Sequence, residues 1–318
     1  MIKLPDIFND VIGPVMRGPS SSHTAASWRI ARTALNILND KLEFALVEFD
    51  RNGAWAPNFR EQGTTLGIDG GLLGLEITDE QIKSTESLAI QLGITIEYRV
   101  SSFPTNHANT VKLTLKGISQ KEVKIVAVST GGGAFEIQSV DGFKVNLTGD
   151  LYGLILFVKG KTTIQEEFRN NLPEGIKFLH QQNEDSFMYE FKSSKAFPPE
   201  FINMLKTLTG TDDISIINPV MPIISGKQTE IPFNTVQSLL DYAEKTEADL
   251  GDLGLLYETC LSGLLRKDLN KKMSEIIEVI HQSIDTGLKG TKYEDRILQQ
   301  QSHLIEKAEK DSKIKNQL

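Results

Sequence analysis

A chain of 318 residues, 39% hydrophobic and 24% charged, has enough apolar content to bury a core in two or three globular domains and is not a disordered composition. A formal net charge of −8 offers no basic face for nucleic acid; only the local pair Arg29 and Arg32 suggests an anion. The sole cysteine, Cys260, excludes an intramolecular disulfide framework and any thiolate cluster or multi-thiolate zinc site held by this chain alone.

The N-terminus, "MIKLPDIFND", places Pro and acidic residues where a secretory segment is continuously apolar. No later stretch approaches the roughly 18 apolar residues of a membrane span, so the chain is expected in the cytoplasm, away from any membrane. In "RGPSSSHTAASWRIARTALNIL", Trp28, Ala31, Leu35 and Leu38 recur at three- and four-residue steps and predict a helix over residues 24–39 with a serine just before it as cap. One hydroxyl satisfies a cap. Ser20, Ser21, Ser22, His23 and Thr24 exceed that need, and the free N–H groups of a first turn ringed by hydroxyls make a receptor for a carboxylate or phosphate.

Over residues 46–148, strand-like runs ("FALVEFDRNG", "GITIEYRV", "NTVKLTLKG", "EVKIVAVSTGGG", "GFKVNLTG") alternate with turns, and a further helical pattern covers 78–92. This is an α/β domain whose helices cover one side of a sheet. In "FREQGTTLGIDGGLLG" the glycines suit tight helix packing, and the turn Gln62, Gly63, Thr64 is the part able to face a ligand. His107 and Asn109 stand in a short polar loop, "TNHANT", just before a strand: either a ligand site on a rigid support or a plain turn. Gly131, Gly132 and Gly133 in "STGGGAFEI" either let backbone approach a ligand or form a wide hairpin turn; without GxxxxGK[ST] they are no phosphate loop.

From residue 151 the pattern reads strand "LYGLILFVKG", helix "TTIQEEFRNNL", strands "GIKFLHQQ" and "SFMYEFKSS", helix "PPEFINMLKTL", strand "DISIINPVM". That βαββαβ order is the ferredoxin-like unit. After the breaker-rich linker "MPIISGKQTEIPF" the chain reads helical: "NTVQSLLDYAEKTEA" with Asn234 as cap, "DLGLLYETCLSGLLRK", "DLNKKMSEIIEVIHQSIDTGLKG" and a polar final helix. Met273, Ile276, Ile277 and Ile280 fall on one face that calls for a partner, and Cys260, a helical step from Leu256 and Leu264, reads as a small core residue. His180 falls in a strand, and His281 and His303 on charged helix faces. The expected division is 1–149, 150–224 and 230–318.

The order of four motifs is more specific than any one of them. "GPSSSHTA" (18–25), "GTTLGIDGGLLG" (63–74), "HANTVKLTL" (107–115) and "STGGGAFEI" (129–137) together resemble the β part of the iron–sulfur-dependent bacterial L-serine dehydratases, or L-serine ammonia-lyases. The likeness extends over roughly the whole chain, and the region from Phe233 resembles the opening of the family's α part. The resemblance implies an α/β domain of the serine dehydratase β type, an ACT-like ferredoxin-like middle domain and an all-α C-terminal segment. It implies that His23, His107 and Asn109 are catalytic, and that Ser20, Ser21, Ser22, Thr24, Gln62, Gly63, Thr64, Gly131 and Gly132 bind substrate. It implies a four-iron four-sulfur cluster whose cysteines lie on the family's α part, so no metal is held by this chain.

The implied partners are L-serine and an α-type subunit or remaining C-terminal region, in an oligomer without nucleic acid or membrane. In that chemistry the cluster iron acts as Lewis acid on the serine hydroxyl, His23 or His107 transfers the α-proton, and the serine-rich turn grips the carboxylate; the products are pyruvate and ammonia. The sequence departs from the family where many members read G-H-G-T-D, since Gln62 stands at the histidine and Thr65 at the acid. "VKGKTTIQ" also lacks the acidic residue and glycine with which ACT modules take effectors. Against the enzyme stands a cluster-free binding or scaffold protein retaining the fold. A Ser/His hydrolase is disfavoured, because Ser22 and His23 diverge at a helix start and no GxSxG occurs.

Overall fold

The alternation of Val111, Leu113 and Leu115, buried, with Lys112, Thr114 and Lys116, less so, is the signature of a strand with one face on a core. Such strands build a six-stranded sheet in the computed structural model, which describes residues 4–159, 168, 171–183, 186–226, 229–290 and 302–311. The strands are β1 (Leu42–Asp50), β2 (Thr95–Ser101), β3 (Thr110–Gly117), β4 (Glu122–Gly131), β5 (Ala134–Val140) and β6 (Phe143–Leu147), in the order β2-β1-β3-β4-β5-β6. Val47 of β1 faces Leu113 in an antiparallel pairing and Tyr98 in a parallel one. A parallel pair needs a crossover, and the connection from β1 to β2 carries two helices, α2 (Thr64–Leu72) and α3 (Thr85–Leu92).

Helix α1 (Ala26–Leu38) lies on this sheet, with Ile30, Ala34 and Ile37 in one core with Ala45, Val47, Phe49 and Ile125. Its α-helical part begins at Ala26, just after the predicted start, but the helical path itself begins earlier. A wide helical turn, Ser21–Ala25, precedes it, and Ser20 is the cap, its Oγ accepting the His23 N–H at 3.3 Å. The helix ends at Asn39, which takes the left-handed conformation with φ 50°. The helical pattern over 78–92 divides into a 3₁₀ turn, Glu80–Ser84, capped by the Asp79 carboxylate, and α3.

A second sheet, β10-β7-β9-β8, is antiparallel throughout and comprises β7 (Tyr152–Lys159), β8 (Lys177–Gln182), β9 (Ser186–Ser193) and β10 (Ile214–Ile217), with α4 (Pro199–Thr209) before β10. This order is compatible with the expected βαββαβ unit. Most of the helix "TTIQEEFRNNL", and with it most of "VKGKTTIQ", lies outside the described residues, but Phe168 is helical and fully buried, edge-on to Tyr189 and Phe191. Strand β10 meets α1: Ser215 Oγ donates to the Ile37 carbonyl at 2.6 Å, and Asn39 Nδ2 to the Ile214 carbonyl at 3.1 Å.

Helices α5 (Val236–Thr246), α6 (Leu250–Ser262), α7 (Arg266–Lys289) and α8 (Ser302–Lys310) form the C-terminal stretch. Thr235, not Asn234, caps α5, because its hydroxyl accepts the Ser238 N–H while the Ser238 hydroxyl reaches back to the cap, a reciprocal capping box. Only half of the expected face of α7 is covered. Met273 and Ile276 pack toward Phe8, Ile223 and Leu269, whereas Ile277 and Ile280 are 45% and 50% exposed. The reason is geometric: the N-terminal segment that covers this helix reaches only one edge of the apolar stripe. Cys260 is buried in α6, as its spacing predicts. Among the described residues no helix is long and apolar enough to cross a membrane.

Candidate active site

Glycine brings two distant turns together. A Cβ at Gly67 would collide with Ser27 Oγ and the Thr24 carbonyl, and one at Gly71 would stand 2.6 Å from Ala31 Cβ. Helices α1 and α2 therefore touch backbone to backbone, which larger residues would prevent. At the N-terminal end of α2, Gly63 adopts φ 76° and turns the chain so that residues 62–64 lie against the turn Ser21–Ala25.

Hydrogen bonds lock that meeting. His23 Nδ1 lies 2.9 Å from Thr64 Oγ1, Thr24 Oγ1 donates to the Gln62 carbonyl at 3.2 Å, and Ser27 Oγ donates to the Thr64 carbonyl at 3.0 Å. The hydroxyls of Ser20 and Ser22 are 3.3 Å apart and half-buried. The His23 ring packs against Trp55, centroids 5.8 Å apart, and burial lowers its pKa from the ordinary value. When Nδ1–H donates to Thr64 Oγ1, Nε2 is left as a base; in the other tautomer Nε2 carries the proton.

Ser129, fully buried at the end of β4, ties in the third motif. Its N–H donates to the Asn109 carbonyl at 3.1 Å and its Oγ to the Ser22 carbonyl at 2.9 Å. The loop of His107 and Asn109 is thus anchored to the serine-rich turn, and Ala54 N–H, next to Trp55, donates to the Ala108 carbonyl at 2.8 Å. Within the loop His107 Nδ1 accepts the Asn109 N–H at 3.1 Å, so a neutral His107 ring carries its proton on Nε2 and presents a donor. The turn reading and the ligand reading are compatible here, since the imidazole closes the turn with one nitrogen and leaves the other.

Beyond Ser129, the fourth motif stands apart. Gly131, Gly132 and Gly133 have φ of 107°, 62° and 92°, a tight turn between β4 and β5 that side chains would strain. Its nearest α1 residues are Ala25 and Arg29, whose Nη1 donates to the Gly133 carbonyl at 2.6 Å. Among the described residues neither Gly131 nor Gly132 hydrogen-bonds to the serine-rich turn.

Trp55 and Ser27 complete this arrangement without a sequence motif to announce them, whereas Ser129 opens the fourth motif; the only signal for Trp55 is that the chain has two tryptophans. A further buried pair braces the same helix. Tyr98 OH donates to Asp69 of α2, and burial pushes the Asp69 carboxyl up to about 6 and the Tyr98 hydroxyl well above its usual range. Among the described residues no group of three or more His, Cys, Asp or Glu side chains could hold a metal, and Cys260 is buried within α6. These residues do not fit a four-iron cluster.

No protein-family model matches the chain. Over 141 residues it is 40% identical to "Probable L-serine dehydratase, beta chain" of Bacillus subtilis (strain 168), covering 44% of this chain and 63% of that one. Over 148 residues it is 34% identical to "L-serine dehydratase, beta chain" of Peptoniphilus asaccharolyticus, covering 46% of this chain and 66% of that one. The chain thus spans just under two thirds of the length of these curated relatives.

Proposed function

We propose that this chain, a serine dehydratase β-type protein, is a component of an L-serine ammonia-lyase, converting L-serine to pyruvate and ammonia with an α-type partner. The observation that carries this reading is the closure of the turn Ser21–Ala25 onto residues 62–64, with His23 held between Thr64 and Trp55. The Ser20, Ser21 and Ser22 hydroxyls, with the Ser21 and Ser22 N–H groups that the cap does not engage, grip the substrate carboxylate, and His23 moves the α-proton. Lowering of its pKa keeps the imidazole neutral near pH 7, the form able to accept a proton. His107 and Asn109 bound the same space as donors. Gly131 and Gly132 shape the adjoining backbone. The four-iron four-sulfur cluster belongs, in this reading, to cysteines of the α-type partner.

The test is co-expression with an α-type partner, anaerobic reconstitution with iron and sulfide, and a pyruvate assay on L-serine. Turnover that disappears in His23→Ala supports the assignment; full turnover in that variant removes it. The second reading, a binding or scaffold protein without chemistry, draws on Gln62, whose backbone carbonyl alone engages the site's hydrogen bonds. Calorimetric binding of L-serine without pyruvate formation by any reconstituted assembly would favour it.

A further inference from the structure

Of the two arginines that suggest an anion, Arg32 lies near Glu76 and over the Trp28 ring, whereas Arg29 is 3% exposed. The Arg29 guanidinium gives one hydrogen bond to the Gly133 carbonyl, and among the described residues no carboxylate lies within ion-pair distance of it. A guanidinium has five N–H groups in a planar fork, and burying that charge without a counter-charge in contact is unfavourable. Burial accordingly lowers the Arg29 pKa to about 10, with Asp10 acting in the opposite sense from a distance.

Arg29 lines a cavity of about 340 Å³ between the N-terminal segment, α1, the stretch 220–222 and helix α7. Its other walls are mostly apolar, among them Ile12, Val15, Ile77, Met221 and Val279. Lys272, whose Nζ donates to the Pro222 carbonyl, and Glu275 add charges of opposite sign, so among the residues lining the cavity Arg29 is the positive charge left over, with Asp10 outside the lining and not in contact with it. None of the residues of the serine-rich turn lines this space.

We propose that this cavity binds a small organic carboxylate with an apolar body, the carboxylate on the Arg29 fork and the body against the apolar walls. One surplus positive charge matches a monoanion, and the planar fork matches a carboxylate in two parallel hydrogen bonds. A dianionic phosphate would leave one charge uncompensated among apolar walls. The site is separate from the one proposed for L-serine and does not depend on it.

Calorimetry on the purified full chain with 4-methylpentanoate, 4-methylpentanamide and inorganic phosphate tests this. The acid is expected to saturate and to bind about tenfold or more tighter than the amide, as loss of a charge-assisted pair implies. Phosphate is expected to bind more weakly than the acid. Arg29→Met is expected to remove the preference for acid over amide. Because that position is buried, Val279→Trp gives a second check from α7, where the side chain is 38% exposed and a larger ring fills the cavity while the fold is retained by circular dichroism. Equal affinity for acid and amide, tighter binding of phosphate, no saturation by the acid, or unchanged binding in a folded Val279→Trp would each overturn the proposal.

Discussion

His23 Nδ1 and Thr64 Oγ1 are 2.9 Å apart on residues separated by 41 positions, and the contact fixes which way the imidazole points. Thr64→Val keeps the shape of the side chain and removes the partner. If His23 is the base proposed above, kcat of the reconstituted assembly is expected to fall about 10- to 100-fold, while stability drops by only about 1 kcal/mol. Pyruvate kinetics beside a urea melt separate the two effects; unchanged kcat would mean that the ring needs no such anchor.

The pH response of His23 follows from its lowered pKa. Protons bind the unfolded chain more readily than the native one, so this group's stabilising contribution is complete above the ordinary value of 6.5 and is lost as pH falls through the native pKa. An imidazole NMR titration is expected to give a midpoint below 6.5, and a midpoint above it would contradict the burial against Trp55.

Asp69 has the opposite sign. Its carboxyl is raised from 3.8 to about 6, so the native state holds a proton that the unfolded chain releases, and stability falls as pH rises through that window. The full effect is about 3 kcal/mol, from roughly two pKa units. Asp69→Asn keeps an acceptor for Tyr98 and removes the titration. Denaturant unfolding from pH 4 to pH 8 is expected to show wild type losing stability relative to the variant, and parallel curves would refute the buried carboxyl.

Gly67→Ala forces a methyl group onto Ser27 and the Thr24 carbonyl. A loss of about 3 kcal/mol is expected, at the upper end of overpacking costs, with His23 and Thr64 moved apart. A thermal melt within a degree of wild type would show that the two helices separate at little cost.

Ser129→Ala deletes the side-chain bond from the sheet to the Ser22 carbonyl. Stability is expected to fall by about 1 kcal/mol, and, if the serine-rich turn grips the carboxylate as proposed, the KM for L-serine to rise more than kcat falls, because that turn loses its support. A kcat effect alone would place the role of Ser129 elsewhere.

Local rules made much of this architecture legible. The period-two pattern of β3 and the three- and four-residue spacing of Trp28, Ala31, Leu35 and Leu38 predict what faces the core, with Leu35 half-buried at its edge, because each pattern reflects one face against one core. They miss that Arg29, Ile30 and Ala34 are buried as well, since the N-terminal segment and α2 wrap α1 from parts of the chain that no local window contains. The glycines of α2 were readable as packing residues, but not that their partner is the helix that carries Ser27. Ile277 and Ile280 mislead for the converse reason, an apolar stripe promising a neighbour that the described chain supplies on one edge only. At the site, Ser22, His23, Thr64 and Ser129 stand in recognisable motifs, whereas Trp55 and Ser27 enter through tertiary contacts without a spacing rule.

With glycine at 67 and 71, α1 and α2 have no side-chain cushion to slide on, so a push on the pair would be borne by both as one lever. His23 rides at the start of α1 and Thr64 at the start of α2, on the same end of that lever. A subunit leaning on the far ends of the two helices would swing both groups through the same arc, shifting that end bodily while leaving its internal spacing untouched.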